Sequence, residues 1–294
     1  MDYAELKKLM SKQKDEMTAA ERMKAYNAGE EVDYIPYTLQ APDPAMADIF
    51  GFTTTQFAKD FEVKSEVIRR RRDEFGLDSF NVGLGLKTIG GALGSVLNAP
   101  EHGIDYVEKH VLQDYADFDK LEVTDPYKNP KLAPILESAK RLKDRFPDVS
   151  MTTSVAGPIS TAIAVRPVEK VLKDTRKNPE MLHKLLDLTV ECSLKWFEAF
   201  YHEFGPVGTN FSDPVTCMDV SSKSQFDEYS LPYIKKLIDG TKKIMGSAPG
   251  AHICGKTSPI WSDLADAGLF SFSIDNCEDC LLYTSPSPRD MRRS

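Results

Sequence analysis

Residues 251–276 read AHICGKTSPIWSDLADAGLFSFSIDN and contain one strand–helix–strand unit. The short apolar runs Ala251–Cys254 and Phe270–Ile274 are typical of strands, and Pro259–Ala267 between them is typical of a helix. Two strands joined through a helix are predicted to lie parallel in one sheet. This stretch therefore indicates an α/β fold.

The same alternation of strands and helices recurs about six times along the chain. The predicted strands are Tyr34–Leu39, Asp78–Val82, Ser150–Val155, Val207–Phe211, Ala251–Cys254 and Phe270–Ile274. A capping box at Thr18 and Glu21 predicts a helix that runs to about Ala28. The other predicted helices are Lys59–Phe75, Pro130–Phe146, Glu169–Lys177, Pro179–Phe204, Gln225–Met245 and Pro259–Ala267. Residues 92–112 are predicted to form a hairpin-like excursion.

The glycine patterns narrow the choice among α/β folds. No GxGxxG follows the first strand and no GxxxxGK[ST] occurs anywhere, which disfavours a dinucleotide-binding or phosphate-loop protein. A (β/α)8 TIM barrel fits the number of units. Its last one or two units would lie beyond residue 279.

In such a barrel the residues that carry chemistry lie where the strands end. The polar or small residues predicted at those ends are Asn81, Gly83, Thr152, Ser154, Ser212, Asp213, His252, Cys254, Asp275 and Asn276.

His252 and Cys254 are the most informative of these residues. Positions i and i+2 of a strand face the same side, so the imidazole and the thiol are expected to converge, with Gly255 opening the turn. Zinc takes both ligand types, and a catalytic zinc site has three protein ligands and an open position. The alternative interpretation is a buried cysteine beside a hydrogen-bonded histidine.

Asp213 and Asp275 are the candidate carboxylates of the same site. An acidic residue at a strand end can orient a ligand histidine or hold a polar substrate. Each of them is equally well explained as the N-cap of the helix that follows.

Composition limits the classes of function. The chain has 37 Lys and Arg against 45 Asp and Glu, a net charge of −8, which disfavours binding to nucleic acid or to an anionic membrane. No apolar run reaches the roughly 20 residues that span a bilayer, and the polar N-terminus lacks the apolar core of a signal peptide. We therefore expect a cytoplasmic protein. Five cysteines, an odd number, disfavour a disulfide scaffold.

Residues 280–294, CLLYTSPSPRDMRRS, do not continue the pattern before them. The segment Cys280–Asp290 resembles the translation of a sequencing-library adapter, so we expect a non-native tail after a single incomplete domain, 1–279. A barrel closes by pairing its last strand with its first. A chain that ends early is therefore expected to be inactive and marginally folded.

The chain resembles the uroporphyrinogen decarboxylase (URO-D) superfamily and, within it, the cobamide-dependent (methylcobamide:coenzyme M type) methyltransferase branch. The segments that carry the resemblance are Thr18–Met23, Val32–Pro36, Gly157–Pro158, Asn178–Glu180, Asp213–Pro214 and Leu231–Tyr233. The most specific segment is His252–Gly255 followed by Phe272–Asp275.

This resemblance implies zinc bound by His252, Cys254 and a later cysteine on a strand that this chain lacks. It implies transfer of a methyl group from a methylated corrinoid, carried by a partner corrinoid protein, to a small thiol. Coenzyme M is the acceptor best known in that branch.

Two alternatives stay open: a decarboxylase of a carboxylated tetrapyrrole, and a non-catalytic protein that binds a corrinoid or tetrapyrrole. The decarboxylases hold substrate carboxylates with an arginine-bearing segment near the N-terminus, but residues 23–68 of this chain contain no arginine. Metal content would separate the methyltransferase from both alternatives.

Overall fold

The computed structural model describes residues 16–35, 43–75, 79–101 and 104–279. Its helices, in chain order, are α1 Ala19–Asn27, α2 Asp43–Ile49, α3 Thr54–Lys59, α4 Phe61–Phe75, α5 Thr88–Ala92, α6 Ala133–Arg145, α7 Pro158–Val165, α8 Val168–Lys177, α9 Pro179–Phe204, α10 Lys223–Gln225, α11 Leu231–Met245 and α12 Trp261–Asp266. Its strands are β1 Ser79–Asn81, β2 Val96–Asn98, β3 Tyr106–Lys109, β4 Ser150–Ala156, β5 Gly208–Ser212, β6 Gly250–His252 and β7 Ser271–Ser273. A π-helical turn, Phe226–Ser230, leads into α11. No helix in the described ranges is both long enough and apolar enough to cross a lipid bilayer.

Five strands form one parallel sheet in the order β1-β4-β5-β6-β7. The register places Ser212 beside His252, and His252 beside Ser273. Because helices return the chain to the same end of the sheet each time, the carboxyl ends of all five strands share one edge. The expected α/β architecture is confirmed, and it is TIM-barrel-like.

One face of this sheet packs against the helices. In β4 the alternate residues Met151, Thr153 and Val155 are buried. The Thr153 hydroxyl accepts a hydrogen bond from Trp196 Nε1 of α9 at 2.9 Å and donates one to the Val82 carbonyl at 2.8 Å. A buried indole N–H therefore has a partner inside an otherwise apolar core.

The opposite face of the sheet consists of small and polar residues. By the two-residue period of the strands these are Ser79, Asn81, Ser150, Thr152, Ser154, Ala156, Gly208, Asn210, Ser212, Gly250, His252, Ser271 and Ser273. Bulky branched side chains dominate the interior of a TIM barrel, and this face carries none of them. It therefore presents hydroxyl and amide groups beneath the strand ends.

The sequence pattern located these strands to within two residues at each end. The structure also confirms the excursion in residues 92–112, because β2 and β3 pair as an antiparallel hairpin. The capping box at Thr18 and Glu21 is present. The predicted strand Tyr34–Leu39 lies mostly outside the described residues, and positions 34 and 35 are not in a strand.

The predicted helix Lys59–Phe75 is confirmed from Phe61 to Phe75 and is interrupted at Asp60. The structure has two helices there, α3 and α4, which are separated at Asp60. The Asp60 carboxylate accepts a hydrogen bond from the Glu62 backbone N–H at 2.8 Å. An aspartate that caps the start of a helix in this way competes with continuation of the helix before it.

Candidate functional site

The His252 and Cys254 side chains converge at the carboxyl end of β6. His252 Nε2 lies 3.1 Å from Cys254 Sγ, and the thiol is exposed. The side chain of Ile253 between them is fully buried, so the backbone alternation directs its two neighbours away from the core. Gly255 follows with φ +76°, a conformation that favours glycine and turns the chain directly after the thiol.

The imidazole of His252 is held on its other side as well. Its Nδ1 lies 3.1 Å from Ser273 Oγ, because the register of β6 and β7 places the two residues side by side. Both ring nitrogens therefore have a partner. Ser273 was not among the residues chosen from the sequence. The period of the predicted strand 270–274, which puts Ser273 and Asp275 on one face, is the signal that would have identified it.

Asp275, expected at this site, lies just past the end of β7. Its Oδ2 accepts a hydrogen bond from the Gly255 backbone N–H at 2.7 Å, and this hydrogen bond lowers the pKa of the Asp275 carboxyl. The carboxylate therefore fixes the turn that follows Cys254. Burial, and then the charge of Asp275, raise the pKa of the Cys254 thiol, so without a cation the thiol is protonated at neutral pH.

The backbone of Asp213 lies next to this pair in the sheet, but its side chain points to the start of α7. Its backbone N–H donates to the His252 carbonyl at 3.0 Å. Its fully buried carboxylate accepts hydrogen bonds from the Ser160 N–H at 2.7 Å, the Ser160 hydroxyl at 2.6 Å and the Ile159 N–H at 3.3 Å. Asp213 thus caps the start of α7 from a neighbouring strand and makes no side-chain cap on the 3-10 turn Pro214–Thr216 after it.

The glycine at 157 makes room for this cap. A Cβ built on Gly157 would lie 2.3 Å from Cβ and 2.4 Å from Cγ of Asp213. These separations are far below van der Waals contact, so a side chain at 157 and the present position of Asp213 exclude each other.

Three of the other polar strand-end residues form a separate network on β1 and β4. Asn81 Nδ2 donates to Thr152 Oγ1, and Ser154 Oγ donates to Asn81 Oδ1, both at 3.0 Å. A Cβ on Gly83 would lie 2.0 Å from Ser154 Oγ, so a side chain at 83 would displace a hydroxyl of this network. Asn276 is exposed in the turn after β7.

The donor types of the His252–Cys254 pair fit zinc, which binds imidazole nitrogen and thiolate sulfur. The number of donors is smaller than in a complete site, because the described ranges bring no third His, Cys, Asp or Glu to the pair in metal-binding geometry. Cys217 is buried and Cys277 is exposed, and both are free thiols. The described residues therefore offer two donors of the types that zinc binds.

A further cavity, of about 550 Å³, lies against α9 and away from the strand ends. Tyr127, Glu198 and His202 line part of it. None of the strand-end residues expected to carry chemistry contributes to its lining.

Comparison with known proteins gives one family and several relatives. The uroporphyrinogen decarboxylase (URO-D) family model matches residues 18–287. The methylcobamide:CoM methyltransferase MtaA of Methanosarcina barkeri (strain Fusaro) is 27% identical over 146 residues, which are 49% of this chain and 42% of the relative. The methylcobamide:CoM methyltransferase MtbA of Methanosarcina acetivorans is 26% identical over 175 residues, which are 59% of this chain and 50% of the relative. The chain thus spans about half the length of the curated relatives it matches.

A solved structure is also similar to this chain. It is a methyltransferase from Methanosarcina mazei, with a TM-score of 0.73 and 24% identity over 88% of this chain and 76% of that chain. At that identity the likeness shows a shared fold.

Proposed function

The chain belongs to the uroporphyrinogen decarboxylase family, and from this premise we propose that it is a zinc-dependent methyltransferase that moves a methyl group from a methylated corrinoid to a thiol. The single observation that carries the proposal is the approach of His252 Nε2 to Cys254 Sγ, 3.1 Å, at the end of β6. Relatives named as methylcobamide:CoM methyltransferases support it. A small thiol and a corrinoid protein are the proposed partners.

His252 and Cys254 would hold the metal through Nε2 and Sγ. Zinc bound there supplies a positive charge that keeps a coordinated thiol deprotonated at neutral pH. Ser273 holds the far side of the imidazole, and the Asp275 carboxylate holds the Gly255 turn, so both ligands are oriented by β7. The exposed position of Cys254 leaves room for an acceptor thiol and for the methyl donor above the strand ends.

The two carboxylates have different proposed roles. Asp275 lies close enough to the pair for its charge to act on the Cys254 thiol, so we assign it to orientation of the ligands or of the acceptor. Asp213 is fully buried and acts as a positioning residue: it joins the start of α7 to β5, whose end is hydrogen-bonded to the His252 carbonyl.

The arginine distribution argues against a tetrapyrrole decarboxylase. Before Arg69 the chain has one arginine, Arg22. Its guanidinium is buried against Asp33, with Nε 2.6 Å from Oδ1. No arginine described in that segment is therefore free to bind substrate carboxylates in the paired geometry that guanidinium groups favour.

The test combines metal content with two reactions. Because this chain by itself is expected to be inactive, the test uses the full-length protein. It is incubated with excess zinc, methylcobalamin and a panel of small thiols, and demethylated corrinoid and methylated thiol are measured. We expect both products to depend on zinc, and His252→Ala and Cys254→Ser to abolish them. Release of carbon dioxide from uroporphyrinogen would instead indicate a decarboxylase. Corrinoid binding without demethylation by the zinc-loaded chain would indicate a binding protein.

A further inference from the structure

The hydroxyl of Ser273 lies against the nitrogen of His252 that faces away from Cys254. Ser273 Oγ is 3.1 Å from Nδ1, and Cys254 Sγ is 3.1 Å from Nε2. Among the described residues Ser273 is the hydrogen-bond partner of Nδ1. The imidazole is therefore held between two groups on opposite sides of the ring.

We infer that Ser273 is a positioning residue for His252: its hydroxyl accepts the Nδ1–H and so leaves the lone pair on Nε2, on the side of Cys254. A neutral imidazole carries its proton on one nitrogen and its lone pair on the other. A group that holds one nitrogen protonated thereby makes the other the ligand atom. The positioning of the His252 ring does not depend on the proposed function. Only the use of the Nε2 lone pair to bind zinc rests on it.

The position of Ser273 in the sheet holds its hydroxyl beside the His252 ring. His252 and Ser273 are register partners in β6 and β7, so their side chains leave the same face of the sheet at neighbouring points. Ile253 and Phe272 lie on the other face, where Ile253 is fully buried and Phe272 packs against the core. Rotation of either strand is therefore opposed by the core packing.

Ser271 provides a matched control on the same strand. It lies two residues earlier, on the same face, and its register partner is Gly250. Ser271 Oγ lies 2.7 Å from the position that a Cβ on Gly250 would take. Ser271 thus shares the residue type, strand and face of Ser273 but lies one layer below the histidine.

The first measurement concerns the metal-free chain. Side-chain ¹⁵N chemical shifts of His252, assigned by comparison with His252→Gln, report which nitrogen carries the proton. We expect one tautomer, with Nδ1 protonated, in the natural chain, in Ser271→Ala and in Ser273→Thr, which keeps the hydroxyl. Ser273→Val has the shape of the threonine variant without the hydroxyl, and we expect it to give a mixture of tautomers. An unchanged tautomer in a folded Ser273→Val chain overturns the inference.

The second measurement concerns zinc affinity, by competition with a chromophoric chelator. We expect Ser273→Val to weaken binding by about 10- to 100-fold, with Ser271→Ala and Ser273→Thr close to the natural chain. Equal losses in Ser271→Ala and Ser273→Val overturn the inference, because they indicate a general disturbance of β7. A natural chain that binds no zinc but shows the hydroxyl-dependent tautomer refutes the proposed function and leaves the positioning role of Ser273 in place.

Discussion

The carboxylate of Asp213 accepts two hydrogen bonds from Ser160, one from the backbone N–H at 2.7 Å and one from the hydroxyl at 2.6 Å. The two residues are 53 positions apart in sequence. The contact joins the end of β5 to the first turn of α7, whose own N-cap residue, Gly157, has no side chain to offer. These hydrogen bonds fix the helix to the sheet beside the candidate site. They favour the ionised carboxyl, but burial opposes them and has the larger effect on its pKa.

The pH dependence of stability is expected to reveal Asp213. Burial raises the pKa of this carboxyl above its ordinary value of 3.8, so the native state binds the proton more tightly than the unfolded chain. The resulting stability is complete below the unfolded pKa and is lost as the pH rises through the native pKa. We therefore expect the free energy of unfolding of the natural chain, relative to Asp213→Asn, to fall as the pH is raised above 3.8. Chemical denaturation across this range measures the difference. The control is Asp119→Asn, since Asp119 is exposed. A difference in the free energy of unfolding between the natural chain and Asp213→Asn that does not change with pH would contradict the prediction.

Gly157→Ala is expected to destabilise the protein by about 1–3 kcal/mol, the usual cost of overpacking a well-filled site. The added methyl group would overlap Cβ and Cγ of Asp213, and the capping carboxylate would have to move. Gly85→Ala is the matched change, because its nearest contact is Thr88 Oγ1 at 3.4 Å. Its expected effect is within about 0.5 kcal/mol. The midpoints of denaturant-induced unfolding of the two variants measure these effects. Equal midpoints would show that the Asp213 carboxylate can move aside at no cost in stability.

Cys254→Ser is expected to remove most of the zinc bound by the full-length protein, which is expected to hold about one ion per chain. Serine keeps the size of the side chain but lacks the thiolate. Cys277→Ser is the control, since Cys277 is also exposed and lies past the end of β7, outside the pair. Elemental analysis after gel filtration gives the stoichiometry. A folded full-length protein without metal, or an equal loss of zinc in the Cys277 variant, would refute the assignment of Cys254 as a ligand.

Asp174→Ala is expected to cost about 3–5 kcal/mol of unfolding free energy, because it leaves a buried guanidinium unpaired. Arg166 Nε lies 2.6 Å from Asp174 Oδ2, and both side chains are more than nine-tenths buried. The Tyr115 hydroxyl also donates to this carboxylate, at 3.0 Å.

The matched ion pair for this prediction is Lys236–Asp187, in which both side chains are about half exposed. Asp187→Ala is expected to cost less than about 1 kcal/mol, since solvent screens the pair. Thermal and denaturant unfolding of the two variants gives the comparison. Similar losses of unfolding free energy in Asp174→Ala and Asp187→Ala would mean that burial does not determine how much the Arg166–Asp174 pair contributes to stability.

Much of the fold follows from local patterns in the sequence. β4 and β5 were predicted to within one residue, and α9, Pro179–Phe204, was predicted with its observed bounds. The strand period also predicted that His252 and Cys254 converge, although β6 itself ends at His252 and Cys254 lies just beyond it. Such features depend on residues a few positions apart, so propensity and alternation are sufficient to predict them.

The partners of the site residues were decided by tertiary structure. Asp213 was assigned from the sequence to orientation of the site or to the cap of the following helix, whereas its carboxylate caps α7, an earlier element. The contact of Ser273 with His252, 21 positions earlier, depends on the register of β6 and β7. Local sequence fixes which side chains share a face of a strand. Which strands lie side by side, and in what register, depends on the packing of the helices that join them.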